Sequence, residues 1–262
     1  MKFKAVLSDA GDILLDSHRT LDIQKRCIAA IYNDRLKLNK SDDEVYTIFK
    51  PYKRLSQTTS SLEEAVNLFL SDNNVAATYQ EYAQLFERKK STMPKLALYT
   101  GVTEVMEKVN RQGIPFLIIS DSTMTGEAVQ KDTERMIIKQ LRERNVYDPD
   151  KFHLNRYVTK CLSSRDIGVR KPDRLIFEKA LEYLNLNDDW GKALFIAHEQ
   201  EEIFGAAELG MTVAAVNCCK EKDAEIIHRK ILAHQARYEK GLTPINIYHL
   251  TSLSEIPLLL RE

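Results

Sequence analysis

The residue in this sequence best placed to do chemistry is Asp9, which ends a predicted first strand that starts at Lys4 and contains a short apolar run. A glycine turn at Gly11 then directs the chain outward, as at the carboxyl edge of a strand in an open α/β sheet. A carboxylate in this position can attack electrophilic phosphorus or carbon, bind a cation, or cap the turn. We therefore take Asp9 as the first candidate for the reacting side chain.

Further polar residues follow the later apolar runs. They are Ser120 and Asp121 after residues 114–119, Lys171 in a loop, and His198, Glu199, Glu201 and Glu202 after residues 193–197. Together they would supply a nucleophile, a hydrogen-bond donor, a fixed positive charge and acidic groups, which is what attack on an anionic substrate requires. We predict that Asp9 and Lys171 are catalytic and that Ser120, Asp121 and His198 bind substrate.

The elements that must position these residues alternate between strand and helix from Gly101 onward. After the first strand, the predicted strands are residues 114–119, about 156–160, 193–197, 212–216 and 245–248. Strands separated by helices predict an α/β fold with a mainly parallel, doubly wound sheet of Rossmann type. Because ligands in such sheets lie outside the carboxyl ends of the strands, we expect the polar residues to converge.

Between Asp16 and Pro94 the pattern is different. Apolar residues recur there at helical spacing, without strand-like alternation. We predict an all-helical cap domain over residues 17–95, inserted into a core domain formed by residues 1–16 and 96–262.

The composition limits the classes of partner. The 262 residues include 38 basic and 38 acidic side chains, so the formal net charge is zero, without the basic footprint of a nucleic-acid or membrane-surface binder. We expect a small anionic metabolite as partner, and neither nucleic acid nor a membrane. The first apolar run is too short for a signal peptide, which predicts a cytoplasmic protein. Oligomeric state is not indicated.

Four segments, in order along the chain, resemble the motifs of the haloacid dehalogenase (HAD) superfamily with a helical cap inserted after motif one. The matches are Asp9, Leu14 and Asp16 for D-x-D-G-T-L-x-D, Ser120 beside Asp121 for the strand ending in Ser or Thr, residues 166–173 for G-x-x-K-P-D, and residues 195–202 for the acidic motif four. The similarity covers essentially the whole chain. It implies the HAD fold and an aspartyl nucleophile at Asp9.

Motif one departs from the family's phosphatases. These usually carry a second Asp two residues after the nucleophile, where it protonates the leaving oxygen, and this chain has Gly11 there. Glycine cannot transfer a proton. Asp12 is adjacent, but successive residues in an extended turn point in different directions.

Motif four departs as well. His198 stands in place of the usual Asp, and Glu202 in place of the later one. The resemblance implies a Mg²⁺ cofactor with Asp9, Gly11 and Glu202 as its candidate ligands. Magnesium prefers carboxylate and water oxygens, so the histidine weakens this expectation.

The resemblance implies an enzyme, most plainly a hydrolase acting through a covalent intermediate at Asp9 on a small phosphate monoester. The alternative is a metal-independent 2-haloacid dehalogenase, because halide leaves without a proton; its cap arginine would be Arg19 or Arg26. A third hypothesis is a catalytically silent HAD-fold protein that binds a ligand or partner.

Some polar residues of the predicted cap could close over a substrate. They are Lys50, Lys53, Arg54 and residues 57–61. A solvated helix end is the alternative explanation for the same residues.

Overall fold

The computed structural model describes residues 3–15, 17–92, 98–99, 101–143, 145, 157–187, 189–216, 229 and 246–260. Its centre is one six-stranded sheet whose neighbouring strands all run parallel. The strands are β1 (Ala5–Asp9), β2 (Phe116–Ser120), β3 (Lys160–Ser163), β4 (Ala193–Ala197), β5 (Thr212–Val216) and β6 (Asn246–Leu250). The predicted parallel, doubly wound α/β core is confirmed.

The strand order is β3-β2-β1-β4-β5-β6, so the order reverses at β1. The chain runs from β1 to β2 and β3 on one side, then crosses to place β4 on the other side. Ligand sites in open α/β sheets lie at the carboxyl ends of the strands at such a switch point. The residues best placed for a site are therefore Asp9, which ends β1, and His198, which follows β4.

The helices account for most of the remaining described chain. They are α1 (His18–Leu36), α2 (Asp42–Ser56), α3 (Leu62–Asp72), α4 (Tyr79–Ser91), α5 (Val102–Arg111), α6 (Gly126–Glu143), α7 (Ser164–Ile167), α8 (Arg174–Tyr183), α9 (Gln200–Glu208) and α10 (Ile256–Leu259). Within the described ranges, none of these helices combines the length and the apolar character needed to cross a membrane.

Apolar side chains cover both faces of the sheet, because successive residues of a strand point to opposite faces. On one face Val6 and Ile118 pack in a cluster with residues of α5. On the other face Leu7 and Phe195 pack with residues of α8 and α9. The strands are buried on both sides, which holds their carboxyl ends in fixed positions.

Helices α1–α4 enclose an apolar cluster of their own, centred on Phe49, Phe69 and Tyr82. Their starts are well defined, because α2, α3 and α4 each begin with a capping box, at Ser41, Ser61 and Thr78. Residues 93–97, where we place the return to the core, lie outside the described residues. The cap boundaries therefore stay a prediction.

The chain segments entering and leaving the four helices lie side by side. Leu15 forms an antiparallel bridge with Leu98, and the Tyr99 N–H donates to the Leu14 carbonyl oxygen at 3.1 Å. Asp16, the last matched residue of motif one, lies outside the described residues. The paired segments place helices α1–α4 next to the turn that follows β1.

One strand prediction was wrong in position. We predicted a strand near residues 156–160, whereas β3 begins at Lys160, which pairs with Leu117 of β2. Val158 is fully buried, and Thr159 N–H donates to the Phe116 carbonyl oxygen. Both residues therefore lie in the segment that leads into β3 and not in the strand itself. At the last strand, Ile245 lies outside the described residues.

Candidate functional site

Asp9 lies at the carboxyl end of the central strand and is almost completely buried, with 7% of its surface exposed. Its Oδ1 atom accepts a hydrogen bond from the Ala10 N–H at 2.7 Å. The Lys171 Nζ atom lies 2.6 Å from the same oxygen. The Asp9 carboxylate is thus held in one orientation by the turn and by an ammonium group.

Lys171 is positioned between two carboxylates. Its Nζ atom lies 3.1 Å from Glu202 Oε1, in addition to its contact with Asp9, and its side chain has no exposed surface. The backbone also fixes this residue, because Lys171 N–H donates to Asp121 Oδ1 at 3.1 Å. The residues predicted at the ends of β1 and β4 and in the loop after β3 therefore meet.

The charges in this group of three determine their protonation. Burial opposes ionisation of Asp9, but the Lys171 ammonium and His198 together lower its pKa to about 2. Burial raises the pKa of Glu202 to about 8, against the opposing effect of Lys171. The pKa of Lys171 is raised: burial would lower it, but the charges of Asp9 and Glu202 prevail. One buried cation stabilises one anion, and Asp9 is the ionised carboxylate.

His198 lies against the other oxygen of Asp9. Its Nε2 atom is 3.5 Å from Asp9 Oδ2, and its side chain is 14% exposed. Asp9 Oδ1 accepts from Ala10 N–H and contacts Lys171, whereas Oδ2 has the His198 ring beside it. An imidazole in this position can exchange a proton with a water molecule next to Asp9.

Ser120 and Asp121 lie at the end of the neighbouring strand, where Ile119 pairs with Asp9. Ser120 is 8% exposed. Asp121 contacts the protein through both carboxylate oxygens: Oδ1 accepts from Lys171 N–H, and Oδ2 lies 3.1 Å from Arg170 Nη2. Burial raises the pKa of Asp121, while Lys171 and Arg170 lower it. The contacts of Asp121 are those of a positioning residue, and its predicted binding of substrate stays a prediction.

Neither Gly11 nor Asp12 is placed as a proton donor for Asp9. Asp12 adopts a left-handed conformation with φ of 57°, and its Oδ1 accepts from the Ser17 N–H at 3.0 Å and from the Ser17 hydroxyl at 2.9 Å. This carboxylate therefore stabilises the turn into α1. The outward turn brings no acid to the position that the family's phosphatases use.

Two of the candidate magnesium ligands, Asp9 and Glu202, already contact a cation of the protein. The nearer oxygens of Asp9 and Glu202 both face the Lys171 ammonium, and Gly11 offers only its backbone carbonyl. Across the described ranges, no three His, Cys, Asp or Glu side chains cluster closely enough to hold a metal ion. Magnesium usually keeps several waters and is bound through one or two carboxylates, so the engagement of both candidate carboxylates by Lys171 weakens the expected site, and Mg²⁺ binding stays a prediction.

The turn between α2 and α3 reaches the edge of the site. The Gln57 side-chain amide donates to the Asp121 carbonyl oxygen at 2.8 Å, and the Ser164 hydroxyl donates to the Gln57 carbonyl oxygen at 2.8 Å. Arg165 donates to the Ser60 carbonyl oxygen at 2.5 Å. Residues 57–61 are among those predicted to close over a substrate, and two of them, Gln57 and Ser60, contact the core directly.

The remaining candidates on α2 differ among themselves. Lys50 and Arg54 are exposed, whereas Lys53 is partly buried and donates to the Tyr46 hydroxyl at 3.0 Å. Of the two candidate cap arginines, Arg26 is exposed, and the side chain of Arg19 lies outside the described part. Neither supplies a described contact with Asp9.

Sequence reasoning missed two residues of this region, Tyr46 and Arg170. Arg170 precedes Lys171 in the matched loop, so adjacency was a signal for it, but the sequence does not say that it pairs with Asp121. Tyr46 is an apolar position of α2 by periodicity. Its contact with Lys53 follows from seven-residue spacing, which places two side chains on one helix face.

The fold and the site together define a doubly wound α/β protein with a buried aspartate and lysine at its switch point. The family model for haloacid dehalogenase-like hydrolase matches residues 24–216. The chain belongs to the haloacid dehalogenase-like hydrolase family.

Individual relatives are distant. The (S)-2-haloacid dehalogenase 4A of Burkholderia cepacia is 23% identical over 133 residues, which is 51% of this chain and 49% of that protein. The chain thus matches about half the length of this curated relative.

The solved structures share the fold over nearly their whole length. A 2-haloacid dehalogenase from Pseudomonas syringae pv. Tomato DC3000 has a TM-score of 0.58 and 17% identity, with 98% of each chain covered. A HAD phosphatase from Thermococcus onnurineus has a TM-score of 0.55 and 17% identity, with coverage of 99% of this chain and 98% of that one. Two reaction types therefore occur on this fold among its neighbours.

Proposed function

We propose that this protein is a hydrolase in which Asp9 attacks a small anionic substrate and forms a covalent aspartyl ester. The ionised state of Asp9 supports this, because an unprotonated carboxylate is the nucleophilic form. Lys171 holds the carboxylate in place, and Ser120 at the end of β2 contacts the charged group of the substrate in this proposal. Helices α1–α4 act as the cap over this site.

The position of Asp12 supports one reaction type over the other. Its carboxylate accepts from Ser17, and Gly11 has no side chain, so the leaving group receives no proton from motif one. A leaving group that departs without protonation suits this site. Halide is such a group, and we propose dehalogenation of a 2-halo carboxylic acid, the activity in the name of the Burkholderia cepacia relative. The sequence alone favours a phosphate monoester, and we place dehalogenation first because of these contacts.

The reaction has two steps. In the first, Asp9 Oδ2 attacks carbon 2 of the acid, and the carbon–halogen bond breaks with the electron pair leaving on the halide. In the second, a water molecule attacks the acyl carbon of the Asp9 ester and transfers a proton to His198. His198 then gives its proton to the departing alkoxide oxygen, so that the 2-hydroxy acid leaves, and the Asp9 carboxyl group loses its proton to solvent, which restores the carboxylate.

Phosphate monoester hydrolysis is the second candidate, supported by the buried Lys171 charge and by the fold shared with a HAD phosphatase. General acid catalysis typically contributes about 100- to 10,000-fold. Without it, a phosphatase would act only on esters with a good leaving group.

The test measures halide release from each enantiomer of 2-chloropropanoate, with and without EDTA, beside release of 4-nitrophenol from its phosphate with Mg²⁺. We expect EDTA-resistant halide release that Asp9→Asn abolishes. A single turnover in ¹⁸O-labelled water should place the label in the Asp9 peptide, as mass spectrometry detects. Magnesium-dependent phosphatase activity alone would favour the second candidate, and no turnover of either substrate by the folded protein would favour a silent ligand-binding protein.

A further inference from the structure

Lys53 is a partly buried ammonium group on α2 whose hydrogen bond is with a neutral group. Its Nζ atom donates to the Tyr46 hydroxyl at 3.0 Å. Among the described residues, no carboxylate lies within 4 Å of it. A largely desolvated cation without a carboxylate partner is costly unless a ligand supplies the counter-charge.

Arg170, in the core domain, is a second cation whose hydrogen-bonding groups are only partly paired. Its Nη2 atom pairs with Asp121, but its Nε atom is buried and has no hydrogen-bond partner within the described chain. Arg170 is next to Lys171, whose ammonium touches Asp9. The unpaired Nε–H therefore lies in the loop that also supplies the site lysine.

Printed contacts aside, the chain brings the two cations to the same region: Gln57, one turn after Lys53, donates to the Asp121 carbonyl oxygen, and the Asp121 carboxylate pairs with Arg170. Burial, and after it the charge of Arg170, lower the pKa of Lys53 to about 8, while Glu199 opposes them. Burial raises the pKa of Tyr46 to about 12; the charge of Arg170 lowers this pKa and the charge of Glu199 raises it. Glu199 is exposed, so water and salt weaken its field. The other charged groups acting on Lys53 are Lys25 and Lys50.

We propose that Lys53 and Arg170 together bind the carboxylate of the substrate whose reacting carbon lies at Asp9. This assignment rests on the proposed function, because it takes Asp9 as the attacking group. A carboxylate between the two cations relieves their mutual repulsion and accepts charge-assisted hydrogen bonds from the Lys53 ammonium and the Arg170 Nε–H. The substrate class is thereby narrowed to carboxylic acids, with neutral amides and esters excluded.

The test measures binding of propanoate, which cannot react, by calorimetry at pH 7. Lys53→Met should weaken binding by about 10- to 100-fold, because it removes one charge-assisted contact. The control is Lys40→Met, exposed in the loop before α2, which should bind like the wild type. Arg170→Lys keeps the charge and removes the Nε–H, and should also weaken binding. Circular dichroism confirms that each variant is folded.

A pH comparison adds an independent check. Wild-type binding should weaken between pH 7 and pH 9.5 as Lys53 loses its proton, whereas Lys53→Arg should keep its affinity. Unchanged binding in Lys53→Met, equal weakening in Lys40→Met, or the same loss at pH 9.5 in Lys53→Arg would overturn the proposal. Binding is measured without turnover, so a failure to release halide would refute the proposed reaction while these affinities still decide the carboxylate site.

Discussion

Gly205 of α9 packs directly against Pro172, so closely that a Cβ atom on Gly205 would overlap the Pro172 Cβ. Pro172 follows Lys171, whose Nζ lies 2.6 Å from Asp9. Helix α9 therefore limits how far the loop that carries Lys171 can move away from Asp9. The position of the ammonium depends on a glycine that touches no reacting atom.

Gly205→Ala should therefore lower both stability and turnover. The added methyl group must displace Pro172 or the helix, and such overpacking typically costs about 1–3 kcal/mol. We expect a lower urea midpoint and a reduced kcat for the substrate established by the halide and phosphatase assays. Gly191→Ala is the control, because its nearest contact is the Gly210 carbonyl oxygen at 3.8 Å. Equal effects of the two substitutions would contradict the packing argument.

Glu202→Gln should change how stability depends on pH. Burial raises the pKa of Glu202 from 4.5 to about 8, so between these values the folded state binds more protons than the unfolded state. The free energy of unfolding contributed by this group therefore falls as pH rises from about 4.5 to 8. The variant does not titrate, so urea denaturation should show a smaller loss between pH 5 and pH 8.5 than in the wild type. Glu201→Gln, exposed on the same helix, should keep the wild-type dependence.

Gly11→Asp should increase phosphatase activity and leave dehalogenation without a gain. The change restores a carboxyl group two residues after Asp9, and general acid catalysis typically adds about 100-fold or more. Its Cβ would lie 3.1 Å from the Ser17 hydroxyl oxygen, so Ser17 must move by a few tenths of an ångström. Release of 4-nitrophenol measures the gain. Gly11→Asn has the same shape without an acidic proton, and a similar gain there would rule out proton donation.

Ser164→Ala should loosen the turn between α2 and α3. The Ser164 hydroxyl donates to the Gln57 carbonyl oxygen and accepts from the Ser122 N–H, so its loss leaves two partly or fully buried groups unpaired. Each such loss costs about 1–3 kcal/mol. We expect a lower melting temperature and faster hydrogen exchange over residues 57–60. Ser91→Ala, at an exposed helix end, should change neither, and unaltered exchange in Ser164→Ala would show that the turn is held by other contacts.

Local patterns were sufficient for the fold. The five apolar residues of β4 were predicted with the bounds that the structure has, because a fully buried strand of a parallel sheet is apolar at every position. The family assignment followed from motif order. The structure brings Asp9, Lys171, His198 and Glu202 together, as the strand ends required, although their catalytic roles stay predictions.

Local sequence patterns could not show where a side chain in a turn points, or which side chains from different elements pair with each other. Asp12 looks like a substitute acid in the sequence, but its left-handed backbone turns the carboxylate toward Ser17. The pairing of Arg170 with Asp121 joins two loops that are far apart in the chain, and no local period encodes it. Such contacts arise only when the sheet has brought the strand ends together.

The hydrogen bonds from Ser17 to Asp12 have a mechanical consequence. They tie the start of α1 to the loop that begins at Asp9, through two residues that are close in the chain. A swing of the four helices would therefore pull on the nucleophile's own loop. Admission of substrate and alignment of the attacking oxygen would become a single coupled movement.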